Sequence, residues 1–84
     1  MRYLEIFLLS LHYIFTMMKL NRIKTVLVDK DRSQTWLSEK LGKSFSTVNA
    51  YCCNRQQPSL STLQQIADLL EVDIKELISS KERG

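Results

Sequence analysis

The sequence predicts an all-α domain, and three observations carry that prediction. The chain has 84 residues, enough for one small domain around one core. It holds two glycines and one proline, too few for a turn-rich β-sandwich. Its β-branched residues are scattered, with no run of period-2 alternation bounded by turn residues. A helical bundle is the fold that such a chain can stabilise without staples.

The first element is MRYLEIFLLSLHYIFTMM, residues 1–18. Leu4, Phe7, Leu8, Leu11, Ile14, Phe15 and Met18 recur at the i, i+3/i+4 spacing of an amphipathic helix. A membrane-spanning helix needs about 20 predominantly apolar residues. This stretch is shorter and is interrupted by Glu5 and His12. A secretory signal is also disfavoured, because no A-x-A-like cleavage site follows. Three readings stay open: an extra helix packing on the domain or on a second copy, an extension upstream of a start at Met17 or Met18, or contact with a membrane surface. His12 reads as a half-buried bystander, since no second histidine exists to share a metal.

From Leu20 the pattern becomes regular. Leu20, Ile23, Val26 and Leu27 form one face of a helix ending around Asp29–Asp31, where Asp can hold a left-handed exit. Ser33 is a hydroxyl N-cap for the next helix, which buries Trp36, Leu37 and Leu41 and closes at Gly42. One residue, Lys43, then leads to a second hydroxyl cap, Ser44. In the helix that Ser44 opens, Val48, Tyr51 and Cys52 share the inner face. Ser46, Asn49, Phe45 and Ala50 are expected to face outward. Leu60, Leu63, Ile66, Ala67 and Leu70 mark a fourth helix capped by Ser59 or Ser61, and Val72, Ile74, Leu77 and Ile78 a fifth capped by Asp73. The polar SSKERG end reads as a frayed tail.

Two short helices joined by a tight glycine turn, the second with a polar outer face, form a helix-turn-helix pattern. Ser, Thr and Asn are poor residues for an exposed helix, because their side chains compete for backbone partners. They do suit base edges: Asn binds adenine at two points, Ser and Thr serve either base, and Phe or Ala can touch a thymine methyl. Charge agrees with that use. Residues 17–60 carry eight basic residues against three acids, while residues 61–84 carry three against five. A basic middle suits a face presented to a polyanion.

The ordered set SQTWLSEKLGKSFSTVNAY, followed by PSLSTLQQIADLLEVDIKEL, resembles the repressor/Cro (XRE) family of helix-turn-helix DNA-binding domains. The likeness runs from about Leu20 to Ile78 and rests on Ser33-Gln34, Leu37, Ser38, Gly42 and Val48. It implies a five-helix, lambda-repressor-like domain over residues 19–80, after the 1–18 extension and before a polar tail at 81–84. It also implies roles. Gln34 contacts a phosphate and braces the reading helix, and Ser44 caps that helix and touches a phosphate. Phe45, Ser46, Thr47, Asn49 and Ala50 reach base edges or the adjoining backbone. Lys43 and Arg55 neutralise phosphates, and the Asn54–Gln57 loop, Gln56 included, lies along the backbone.

Departures from the family pattern are informative. Asn54 stands where glycine is usual, and Asn is the next best residue for a left-handed position. Cys52 and Leu27 stand where many members pair a glutamate with an arginine, so a hydrophobic contact replaces a buried ion pair. Arg32 replaces a usually apolar residue. Trp36 occupies a position that commonly faces solvent, and is expected to be covered by the leader or a partner.

The adjacent thiols Cys52 and Cys53 invite a redox or metal reading. Two cysteines and one distant histidine cannot complete a four-ligand zinc site. Neighbours on a helix point about 100° apart, which opposes a mutual disulfide. No glycine-rich phosphate loop and no nucleophile–base pair is visible, so no catalytic residue, metal or cofactor is expected. The expectation is therefore a cytoplasmic, nucleoid-associated regulator that binds double-stranded DNA as a homodimer, without membrane association. The alternative is an antitoxin-like module that binds a toxin and regulates its own gene.

Overall fold

The apolar spacing that begins at Leu20 becomes helical only at Ile23. A computed structural model describes Ile6 and residues 20–78. In it, helix α1 runs Ile23–Asp29. Asn21 sets the late start: its Oδ1 accepts the Ile23 N–H at 3.0 Å, a local side-chain turn that competes with helix. Asn21 also pairs with Ile78 in an isolated antiparallel bridge. The expectations for the leader and for the 81–84 tail lie outside the described residues, apart from Ile6, which is helical and exposed.

The remaining helices begin at hydroxyl caps. Helix α2 spans Gln34–Leu41, α3 Phe45–Cys52 and α4 Leu60–Leu70. The Oγ atoms of Ser33, Ser44 and Ser59 accept the N–H groups of Trp36, Thr47 and Thr62 at 2.9, 3.1 and 3.1 Å. Each satisfies one of the donors that a helix start leaves unpaired, a contribution of about 1 kcal/mol. Of the two serines offered for α4, Ser59 is the cap.

The fifth helix is shorter than expected. It is one 3-10 turn, η1, over Ile74–Leu77, capped by Asp73. Ile78 is already extended, and the Leu77 carbonyl accepts the Arg22 N–H at 2.8 Å. The carbonyl that would propagate a helix is committed to holding the two ends of the domain together. Among the described residues from 20 to 78 the count is thus four α-helices, α1–α4, plus η1.

All four helices end alike. After each, a left-handed residue is followed by one whose N–H reaches back to the carbonyl five residues earlier. The left-handed residues are Asp31, Gly42, Asn54 and Glu71, with φ of 58°, 68°, 60° and 59°. The closing bonds are Arg32 to Leu27, Lys43 to Ser38, Arg55 to Ala50 and Val72 to Ala67, at 2.8–3.0 Å. A Cβ at Gly42 would meet nothing within 4 Å, so its φ alone asks for glycine there.

Every described element contributes to one core. Ile23, Leu37, Val48, Ile66 and Leu77 are each fully buried, one from each of α1, α2, α3, α4 and η1. Burying each such side chain contributes about 1.5–3 kcal/mol. Cys52 and Leu27 lie in the same cluster. Trp36 is half-buried against it, and the Arg32 guanidinium sits 4.6 Å from the Trp36 ring centroid. Arg32 thus packs over the indole in a cation–π contact that links the two departures, and the expected cover of Trp36 by the leader lies outside the described residues. No helix among the described residues is long and apolar enough to cross a membrane.

Candidate nucleic-acid interface

Helices α2 and α3 pack directly against each other across the Gly42–Lys43 turn. The inner face of α3 is Val48, Tyr51 and Cys52, all buried. At 100° per residue, Ser46, Asn49 and Cys53 fall together on the opposite face. Ser46 and Cys53 are exposed, Asn49 is half-buried, and Phe45 is 51% exposed at the helix start.

Two of the expected reading residues are less exposed than Ser46. Ala50 is only 9% exposed and does not face outward. It lies on the flank of α3, and the returning loop folds onto it: the Arg55 and Gln56 N–H groups both donate to its carbonyl, at 2.9 and 3.3 Å. Thr47 is half-buried, and its Oγ1 accepts a hydrogen bond from the Ser44 hydroxyl at 3.0 Å. Its own hydroxyl proton remains available as a donor.

Asn49 is the best-connected side chain on the outer face. Its Nδ2 donates to Gln34 Oε1 at 2.9 Å, and its Oδ1 accepts from Arg55 Nη2 at 3.0 Å. The Cys53 thiol is a third, weaker neighbour, with Sγ 3.8 Å from Oδ1. The structure thus brings Gln34, Asn49 and Arg55, which lie in α2, α3 and the following loop, into one polar chain. Lys43, Ser44 and Gln56 are exposed at the edges of the same surface.

A second polar network, behind the loop, escaped the sequence reading. Asn54 Oδ1 accepts from the Asn21 N–H at 2.9 Å and from Gln57 Nε2 at 2.8 Å. Asn21 Nδ2 in turn donates to the Tyr51 carbonyl at 2.9 Å and to Gln57 Oε1 at 2.8 Å. Asn21 is 5% exposed, so these bonds satisfy a buried amide and tie the loop after α3 to the start of α1. Three amide side chains were visible in the sequence, but partners 33 and 36 residues apart carry no local spacing signal.

The cysteines are both free. Burial, and secondarily the neighbouring Cys53, pushes the Cys52 thiol up from 9.0 to about 11, while Lys24 opposes the shift. Such a thiol stays protonated at neutral pH and is a poor nucleophile. Among the described residues, no group of three or more His, Cys, Asp or Glu side chains is placed to hold a metal.

No curated protein matches the chain. Among solved structures, a candidate DNA-binding protein from Bacteroides fragilis is similar, with 50% sequence identity and a TM-score of 0.71. The match covers 71% of this chain and 97% of that one. A helix-turn-helix family model matches residues 23–77, from the first residue of α1 to the last of η1. Serine-capped α2 and α3, the left-handed Gly42 between them and the buried Val48 are the physical content of that match, and the chain belongs to the Cro/C1-type helix-turn-helix family.

Proposed function

We propose that this protein binds double-stranded DNA as a homodimer, lays α3 in the major groove and represses transcription by occupying a promoter. The observation that carries the reading is the outer face of α3, where Ser46 and Asn49 stand clear of the core on a helix braced from α2. An α-helix is about 10–12 Å across with its side chains, and the major groove is about 12 Å wide. Ser46 and Asn49 read base edges, and Phe45 touches a thymine methyl. Thr47, through its free hydroxyl proton, joins Gln34, Lys43, Ser44, Arg55 and Gln56 on the phosphates. Ala50, being buried, leaves the reading set. Helix-turn-helix membership and the description of the Bacteroides fragilis neighbour support DNA as the partner. The action is steric, without catalysis, in the cytoplasm on the nucleoid.

Binding of Ser46→Ala and Asn49→Ala to a preferred site, its single-base variants and random DNA tests the reading. The expected outcome is a loss of about 1–3 kcal/mol confined to particular base pairs, with random DNA unaffected. Equal losses on all sequences would contradict base readout by this face.

A further inference from the structure

We propose that Arg55 is a positioning residue that sets the polarity of the Arg55–Asn49–Gln34 chain, and so decides which amide atoms this surface offers to DNA. The proposal rests on the reading of α3 as the base-reading helix and adds a device within it.

Donor chemistry fixes the orientation of the chain. A guanidinium has five N–H donors and no acceptor. The Asn49 atom 3.0 Å from Arg55 Nη2 is therefore its oxygen, by chemical necessity. The Asn49 nitrogen must then face Gln34, and it meets Gln34 Oε1 at 2.9 Å. Gln34 accordingly turns its oxygen inward and its Nε2 outward, and Nε2 has no hydrogen-bond partner among the described residues. One donor-only group in the loop thus orients an amide in α2 that it does not touch.

Without Arg55 the orientation loses its anchor. An Asn–Gln amide pair bonds equally well with both groups flipped, Gln34 Nε2 donating to Asn49 Oδ1. Arg55 breaks the tie through a charge-assisted bond. The consequence reaches two DNA contacts. An outward Gln34 Nε2 donates to a phosphate, whereas an outward Oε1 repels it. Asn49 Nδ2, with one bond made, keeps one N–H, and Oδ1, which accepts strongly from Arg55 and only weakly from the Cys53 thiol, takes a further donor by displacing that thiol. Those are the donor and acceptor that adenine N7 and N6–H require. In the flipped state the same two functions are offered in exchanged positions.

The test has a part that needs no DNA. Side-chain amide resonances of Asn49 and Gln34 are recorded in the free full-length protein for wild type, Arg55→Met and Arg55→Lys. Arg55 is exposed, so these substitutions leave the core untouched. Arg55→Met is expected to shift the Gln34 amide resonances as well as those of Asn49. Arg55→Lys, also donor-only, is expected to restore them. In binding, Arg55→Met is expected to weaken the preferred site about three- to tenfold more than random DNA, the size of one ordinary hydrogen bond. Unchanged Gln34 resonances in Arg55→Met would overturn the chain. Shifted resonances with equal losses on preferred and random DNA would overturn its part in readout and leave Arg55 a phosphate contact. A wild-type protein with no preferred site would sink the base-reading proposal itself, and the free-protein spectra would still decide whether Arg55 orients Gln34.

Discussion

Asn54 holds a left-handed backbone, φ 60°, at a position where glycine would carry no strain. Two opposing effects decide what Asn54→Gly does. The strain of a left-handed non-glycine residue is about 1–2 kcal/mol, at the low end for Asn. Against that stand three side-chain hydrogen bonds, to the Asn21 N–H, the Asn21 carbonyl and Gln57, each contributing about 0.5–1.5 kcal/mol net. The bonds win, and Asn54→Gly is expected to destabilise the fold by about 1 kcal/mol in denaturant titration, a scale set by those same bonds. A gain in stability would show that the network contributes little. Cys52 yields a second expectation. Its thiol is raised in the fold, so the folded state holds its proton more tightly than the unfolded chain does. That contribution is fully present below pH 9 and is lost as pH rises from about 9 to about 11. Cys52→Ala is expected to be less stable than wild type at pH 8, with the difference narrowing at pH 11. A difference constant with pH would contradict the raised thiol. Some residues announce such roles in sequence. Gly42, Asn54 and Asp31 are types that tolerate a left-handed φ, and each was legible there. Glu71, at φ 59°, was not, because glutamate has no such preference and its geometry follows from closing α4 over the Ala67 carbonyl.

At the scale of elements, α3 shows what periodicity can and cannot decide. The buried face of Val48, Tyr51 and Cys52 and the capping Ser44 follow from spacing and hydroxyl chemistry alone. Ala50 does not, since its burial depends on a loop that returns over the flank of the helix. The start of α1 and the brevity of η1 were likewise illegible. The first follows from the Asn21 side chain accepting the Ile23 N–H and the second from the Leu77 carbonyl accepting the distant Arg22 N–H, and no apolar periodicity reveals either. The turn between α2 and α3 carries its own expectation. Lys43 is exposed in the turn that leads into α3, and its backbone N–H is fixed to the Ser38 carbonyl at 3.0 Å. Lys43→Ala is expected to weaken binding to all DNA sequences and to reduce the salt slope by about one unit. An unchanged slope would remove Lys43 from the phosphate contacts.

For the whole molecule, the division of labour is clear. Each described element sends at least one fully buried side chain to a shared core, which holds α2 and α3 at a fixed mutual orientation. Two polar networks then fix the surface, one along Gln34, Asn49 and Arg55, the other through Asn21, Asn54 and Gln57 behind the loop. The core was legible in the sequence because apolar spacing is local. The networks were not, because amides carry no periodic signature and their partners lie on different elements. A module of this size reads few base pairs, and the proposed homodimer would supply the second copy on an inverted repeat. Selection of bound sequences from random double-stranded DNA with the full-length protein tests this most directly. The expected result is an enriched site of two inverted half-sites with centres about 10 base pairs apart, or a multiple of that spacing. Enrichment of no sequence, with retention governed by salt alone, would contradict the claim that α3 reads bases.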